Sequence, residues 1–132
     1  MKKLLALIVV FSCASTFGQD PIEKNYETFD AFLKEQQTKV SNVSEGMTQE
    51  TVKQQMGSAL VVKVPAVGKM KALNQLFKQP EFVNQYARNP KRVIDILWYF
   101  STPKDQNGVI SKNECTPMIF ENDSLVGKGW PF

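Results

Sequence analysis

A polar loop near the C-terminus carries side chains at the spacing of a calcium-binding EF-hand. Residues 103–114 read PKDQNGVISKNE. Counted as an EF-hand, Asp105 falls at the third position, Asn107 at the fifth and Glu114 at the twelfth. The first position is Pro103, which has no side-chain oxygen, and the flanking residues are typical of strands rather than helices. We therefore expect a polar loop with an Asn-Gly turn and no metal site.

The remaining side chains do not form a catalytic set. The chain contains no histidine, which removes the commonest general base and transition-metal ligand. Cys115 would need an electropositive, partly exposed environment to act as a nucleophile, and a neighbouring Glu114 carboxylate raises a thiol pKa if the two groups approach. No Walker A loop, GxGxxG motif or nucleophile-elbow serine is present. We expect a protein that is not an enzyme and has no cofactor, with a buried, unreactive Cys115; an enzyme that uses Cys115 is the least favoured alternative.

The N-terminus is typical of a secretory signal peptide. Lys2 and Lys3 precede an apolar run over residues 4–11, and small residues follow. This order predicts a signal peptide over residues 1–18 that is cleaved before Gln19. The predicted location is therefore the periplasm or the extracellular space.

A second processing route stays open, because residues 10–13, Val-Phe-Ser-Cys, resemble a weak lipobox. Cleavage there would leave Cys13 lipidated and the protein anchored to the outer membrane. The third alternative is that the N-terminal segment is not cleaved and forms a strand of the core. Both processing routes leave Cys115 without an intramolecular disulfide partner, since Cys13 is either removed or acylated.

Length and charge indicate one small domain without a nucleic-acid footprint. The chain has 132 residues, and loss of the two lysines in residues 1–18 leaves fourteen basic and thirteen acidic residues in a single predicted domain, 19–132. Nucleic-acid binding needs clustered positive charge on one face. The basic turn at 88–92 is interpreted as a solvated loop, with a contact to anionic lipid or to a partner as the alternative. No apolar stretch is long enough to span a membrane.

Two amphipathic helices are predicted before the strands. The first covers residues 21–40, whose apolar residues recur at helical spacing. The second is delimited by Thr48, a good N-cap, and by Gly57, which suits the residue after a helix end. Met47 and Val52 occupy the positions of a hydrophobic staple across its start.

The C-terminal half predicts an antiparallel sheet. Residues 59–64 read as a short edge strand, 93–101 as a central strand, and 114–130 as a hairpin with its turn at 121–124. Helical spacing over 69–77, and again after Pro80, predicts a helical insert. The predicted fold is α+β, with the N-terminal helices on one face of an antiparallel sheet of three to four strands. The predicted core residues are Phe29, Leu33, Val52, Met56, Ile96, Trp98, Phe100 and Phe120.

Two stretches resemble known bacterial families. The Gly46-Met47-Thr48 start, Val52 and Gly57 resemble the helix of the SmpA/OmlA family, the BamE-like envelope lipoproteins. More specifically, residues 111–120 (SKNECTPMIF) with the return strand after them resemble an exported family of unknown function whose hallmark is an ECTP hairpin. The family-motif positions are Gly46, Met47, Thr48, Gly57, Glu114, Cys115, Thr116, Pro117, Phe120, Gly127 and Trp130.

The resemblance implies a function in the cell envelope. It implies a BamE-like helix–sheet core over about residues 46–132 and a role beside other envelope proteins, as in outer-membrane protein assembly. We therefore expect an exported, non-enzymatic protein-interaction or structural module, whose partner is another envelope protein rather than nucleic acid. Membrane contact is expected only through a lipid anchor on Cys13. The alternative is an extracytoplasmic domain that binds a small ligand.

Overall fold

The computed structural model describes residues 21–104 and 108–129. These residues confirm the α+β class. The helices are α1 (Phe29–Ser41), α2 (Gln49–Met56) and a 3₁₀ turn (Lys112–Glu114). The strands are β1 (Ile22–Asn25), β2 (Leu60–Val64), β3 (Leu73–Phe77), β4 (Phe82–Asn89), β5 (Arg92–Phe100), β6 (Cys115–Glu121) and β7 (Ser124–Lys128). None of the described helices is both long and apolar enough to cross a bilayer.

The strands form two sheets instead of the single sheet that was predicted. One has the order β1-β2-β3, with β1 parallel and β3 antiparallel to β2. The other is antiparallel throughout, with the order β4-β5-β6-β7. Strand β2 is therefore central, whereas an edge position was expected. Strand β5 is an inner strand of the larger sheet, as predicted.

Three segments predicted to be helical are strands. Residues 22–25 form β1, so the first helix begins at Phe29, where Thr28 caps it by accepting from the Ala31 N–H at 3.2 Å. The insert expected over 69–77 contains β3, and the turn expected after Pro80 contains β4. The spacing of Leu73 and Phe77 suits a helix, but pairing with β2 and β5 uses the backbone groups of both segments. Tertiary pairing thus outweighs local pattern here.

The predicted second helix and hairpin are confirmed. The Thr48 side chain accepts from the Thr51 N–H at 3.2 Å, and Gly57 ends α2 with a φ of 86°. Strands β6 and β7 meet at Asn122 and Asp123, whose φ values are 49° and 66°. Positive φ at both central residues is the type I′ turn that matches strand twist, and Asn and Asp tolerate it.

One apolar core lies between α2 and the larger sheet. Its fully buried members are Val43, Val52, Met56, Leu97, Tyr99, Met118, Phe120 and Leu125. Val52, Met56 and Phe120 were predicted core residues. The face of β5 that meets α2 is, however, the Leu97 and Tyr99 face rather than the predicted Trp98 face. We call the side covered by α2 the inner face of the larger sheet, and the opposite side its outer face.

A second core joins α1 to the smaller sheet and to the end of β5. Phe32 of α1 lies among Leu60, Val62, Phe77 and Phe100, all buried. The predicted core residues Phe29 and Leu33 are partly buried against this cluster. On the outer face, Ile96, Trp98 and Cys115 form a third, smaller core.

Candidate interaction surface

Glu114 holds the loop before β6 in place. Its carboxylate accepts from the backbone N–H groups of Ser111 and Lys104, both at 3.0 Å. Its carbonyl oxygen accepts from the N–H groups of Ser101 and Thr102. Buried carboxylates are stable when donors satisfy them in this way. Glu114 therefore faces backbone donors, an environment opposite to that of a cation ligand. Residues 105–107 lie outside the described part, and the expected lack of a metal site stays a prediction.

Cys115 lies beneath this loop on the outer face. It is buried, and its S–H donates to the Ser111 carbonyl at 3.6 Å. Burial raises the pKa of the thiol to about 12, and the carboxylates of Glu81 and Glu114 add to the effect. A thiol with such a pKa stays protonated near neutral pH, so it is a poor nucleophile.

The other ECTP residues also secure the hairpin. The hydroxyl groups of Thr116 and Ser101 share a hydrogen bond between β6 and the end of β5. Pro117 is buried opposite Trp98, and its carbonyl accepts from the Gly129 N–H at 2.9 Å. These contacts indicate that the ECTP residues stabilise the hairpin.

The two motif stretches contact each other directly. Gly46 donates its N–H to the Leu125 carbonyl, and Leu125 donates to the Met47 carbonyl, both at 2.9 Å. The Asp123 carboxylate accepts from the Gln49 N–H at 3.1 Å, at the positive end of α2. The segment that starts α2 is therefore hydrogen-bonded to β7.

Gly127 differs from the other motif positions because the fold does not require a glycine there. Its φ is not positive, unlike that of Gly46, Gly57 or Gly129. A Cβ at this position would lie no closer than 4.0 Å to a neighbour, the Cδ1 atom of Ile119. The motif residue Trp130 lies outside the described residues. Gly127 leaves its partner residue in β6, Ile119, without a cross-strand side chain on the β7 side.

An apolar strip runs across the outer face beside Gly127. Tyr86 pairs with Ile94, and Ile119 lies on the next strand, opposite Ile96. Tyr86 is 56% exposed, and Ile94 and Ile119 are partly exposed. We call Tyr86, Ile94 and Ile119 the outer patch.

Polar contacts border the outer patch on two sides. Arg92 and Glu121 form an ion pair at 2.9 Å at one end. At the other end, Asn84 accepts from the Lys112 ammonium at 2.9 Å and from the Trp98 indole N–H at 2.8 Å. An apolar patch with a polar border is typical of a protein-binding surface.

The loop before β6 covers only part of the outer face. The Lys112 ammonium lies 5.1 Å from the centre of the Trp98 ring, and Ile110 contacts the outer-face core. Trp98 is consequently 5% exposed. The cover stops short of Tyr86, which leaves the outer patch accessible at the edge strand β4.

Two surface depressions have the volume of a ligand site, but both open broadly to solvent. One, of about 510 Å³, lies between β1 and the β2–β3 hairpin and is lined by Tyr26, Val64 and Leu73 among others. The second, of about 380 Å³, lies at the end of α1 beside Thr116 and Lys128. Small-molecule sites enclose most of their ligand. These depressions give less support to a ligand-binding domain than the outer patch gives to a protein-binding one.

Sequence reasoning missed the outer patch because it missed β4. Residues 82–86 read Phe-Val-Asn-Gln-Tyr, a pattern rich in strand formers, and 89–92 form a turn before the apolar run of β5. Two such runs around a turn are a hairpin signal. That signal would have placed Tyr86 beside Ile94.

Comparison with known proteins gives a family but no function. No curated protein and no solved structure matches the chain. A family model described as "Protein of unknown function (DUF3192)" matches residues 11–131, which is nearly the whole chain. The chain therefore belongs to this family of unknown function.

Proposed function

We propose that this protein is an exported, non-enzymatic module of the cell envelope that binds another envelope protein through the outer patch. The observation that carries the proposal is the polar-bordered apolar strip of Tyr86, Ile94 and Ile119. Tyrosine at the open end of such a strip, on the edge strand β4, offers a large contact area and loses little conformational freedom on binding.

Gly127 also supports the assignment of the outer patch as the binding surface. A glycine inside a strand, where neither φ nor a close contact requires it, weakens the strand and often marks the close approach of another backbone or ligand. Here it exposes one side of Ile119. A partner side chain or strand can therefore reach the floor of the outer patch beside β7.

The edge of β4 offers a second means of recognition. Strand β4 ends the larger sheet, and its exposed residues include Val83 on the inner face and Tyr86 on the outer face. An extended partner segment can add to such an edge through backbone hydrogen bonds while its side chains contact the patch. This mode requires no deep pocket.

Export and the envelope location follow from the N-terminal pattern. Residues 1–18 have the order of a signal peptide, and Cys13 provides a lipid anchor if the lipobox is used. A BamE-like relationship is part of this proposal, supported by the Gly46-Met47-Thr48 helix start with Val52 and Gly57. Cys115 has no place in the proposed activity.

A site-specific crosslinker tests the partner surface. We would replace Tyr86 with a photoreactive phenylalanine analogue and irradiate intact cells. We expect a discrete adduct with an envelope protein. The same analogue at Leu76, an exposed position on the smaller sheet, is the matched control and should give none. Equal adduct patterns from the two positions, or no adduct from either, would contradict the proposal.

Gly127→Arg gives an independent check. A Cβ at this position would meet only the Ile119 Cδ1 atom, at the ordinary contact distance of 4.0 Å, which predicts a folded protein with an unchanged melting temperature. The arginine would cover Ile119, so the Tyr86 adduct should be lost. A folded Gly127→Arg variant that still forms the full adduct would exclude the outer patch as the binding surface.

Sequencing of the mature N-terminus tests the export half of the proposal. Gln19 at the start indicates cleavage by the ordinary signal peptidase, and an acylated Cys13 indicates lipidation. An intact Met1 in the cytosolic fraction would exclude export.

A further inference from the structure

The connection between β2 and β3 forms a protruding apolar tip. Val67 and Met70 bond to each other through both backbone N–H groups, at 3.2 and 2.9 Å, around the turn Gly68-Lys69. Gly68 has a φ of 58°, and Lys69 has no positive φ, which is the type II′ arrangement with glycine first. Residues that face each other in this way share one side of the hairpin.

The two apolar side chains of the tip are among the most exposed in the described residues. Val67 is 61% exposed and Met70 is 73% exposed. Neither belongs to an apolar core or packs against one. Packing among residues 21–104 and 108–129 therefore does not explain why these two side chains are exposed.

Positive charge is concentrated around the tip. Lys69 and Lys71 flank Met70, and within the described residues neither forms a salt bridge. The chain from residue 51 to residue 80 has five lysines and no Asp or Glu, whereas residues 19–50 have seven acidic and three basic residues. The β2–β3 hairpin thus lies in a cationic quarter of a domain that is otherwise acidic or balanced.

We propose that the tip, residues 65–72, binds the surface of an anionic phospholipid bilayer, with Val67 and Met70 in the boundary between headgroups and acyl chains. Lysines beside exposed apolar residues suit this boundary, because their ammonium groups reach the phosphates while their methylene stems stay in the apolar layer. Negative lipid surfaces attract such basic groups over about one Debye length.

The shape of the tip favours a bilayer over a protein. A narrow, convex hairpin with two apolar side chains would need a matching concave pocket on a protein partner, whereas a bilayer accepts it without one. The site is separate from the outer patch and does not depend on it. It gives the protein direct membrane contact in addition to any lipid anchor on Cys13.

An environment-sensitive fluorophore tests this proposal in the full chain. In a chain whose Cys13 is replaced by serine, so that the buried Cys115 is the only other thiol, we would place the fluorophore on a cysteine at position 67 (Val67→Cys), with Val126→Cys as the matched exposed control. Vesicles of phosphatidylcholine mixed with phosphatidylglycerol should shift the emission at position 67 to the blue. Vesicles of phosphatidylcholine alone should cause a much smaller shift, and position 126 should not respond to either. The label at one position separates the tip from membrane contact made elsewhere in the chain.

Charge reversal separates lipid recognition from simple apolar contact. Lys69→Glu with Lys71→Glu should reduce the apparent vesicle affinity reported at position 67 by at least about tenfold, as expected when two surface charges are reversed. Lys34→Glu with Lys91→Glu, two exposed lysines elsewhere, should have little effect. High salt should weaken the signal in the same way.

Three results would overturn the proposal. The first is that neither kind of vesicle changes the emission at position 67. The second is that neutral and anionic vesicles change it equally, and the third is that the change survives charge reversal at Lys69 and Lys71. A shift caused by an extracted envelope protein, in the absence of a shift by vesicles, would assign the tip to a protein partner instead.

Discussion

The rings of Phe77 and Phe100 lie 4.8 Å apart between centroids and join the two sheets. Phe77 ends β3 of the smaller sheet, and Phe100 ends β5 of the larger one. Phe32 of α1 contacts both, at 4.8 Å from Phe77 and 6.3 Å from Phe100. The two sheets are therefore coupled through a small number of aromatic contacts.

Phe100→Ala should weaken the packing between the two sheets and so lower the free energy of unfolding. Loss of a buried phenylalanine typically costs about 3–5 kcal/mol, a large part of the stability of a small domain. We expect a fall of that size in the free energy of unfolding, measured by urea denaturation. Tyr86→Ala, at an exposed aromatic, is the control and should cost about 0.5 kcal/mol or less. An equal effect of both changes would show that Phe100 does not join the sheets.

Trp98→Ala should unfold or nearly unfold the protein. The ring is buried on the outer face, and its N–H donates to Asn84. Cys115→Ala removes a much smaller buried group and should cost less while the fold stays intact. Thermal melts of the two variants make the comparison. A wild-type melting temperature for Trp98→Ala would mean that the loop before β6 does not cover the ring in solution.

Glu114→Ala should release the loop before β6. The change removes the charged acceptor of the part-buried hydrogen bonds from the Ser111 and Lys104 N–H groups, and a hydrogen bond to a charged group typically contributes about 1.5–3 kcal/mol. We expect rapid proteolysis within residues 102–111, measured by limited digestion and mass spectrometry. Val109→Ala in the same loop is the control and should be cleaved at the wild-type rate.

Calcium should not change the melting temperature of the protein. A rise in melting temperature on addition of calcium that Glu114→Gln abolishes would show a metal site.

Glu81→Gln should flatten the pH dependence of stability. Burial raises the pKa of the Glu81 carboxyl from 4.5 to about 7, while the Lys78 backbone and charge act in the opposite direction. Between these two values the folded state keeps a proton that the unfolded state releases, so stability falls as the pH rises from about 4.5 to 7.

Above pH 7 the Glu81 carboxylate should therefore weaken the fold. Allowing for its partial contact with solvent, we expect Glu81→Gln to stabilise the protein at pH 8 by about 1 kcal/mol and to have little effect at pH 4. Denaturation at several pH values measures this difference. Glu45→Gln, at an exposed carboxylate, is the control. A gain that is the same at pH 4 and pH 8 would exclude titration of Glu81 as the cause.

Local signals in the sequence determined α2, the β6–β7 hairpin and β5. Thr48 and Gly57 cap the helix through contacts a few residues away, and Asn122 with Asp123 forms the turn from backbone conformations that these residue types tolerate. A long run of apolar and β-branched residues indicated β5. Each of these features depends on neighbours in the chain, so the sequence alone contains the necessary information.

Tertiary structure decided which segments pair and which faces are covered. Strand β1 exists because residues 22–25 lie parallel to β2, far along the chain, and its four exposed residues carry no amphipathic pattern. Both faces of β5 are apolar, so alternation could not tell which face meets α2, and the structure places Leu97 and Tyr99 there.

The outer patch likewise depends on pairing between distant segments. Tyr86, Ile94 and Ile119 come from three strands, and no spacing in the sequence links them. They become one surface only when β4 pairs with β5 and β5 pairs with β6. The tip at Val67 and Met70, by contrast, is formed by neighbouring residues of one turn. Whether its side chains are exposed still depends on the rest of the fold, and no other described residue covers them. Burial is a property of the whole fold, and the sequence of a segment does not contain it.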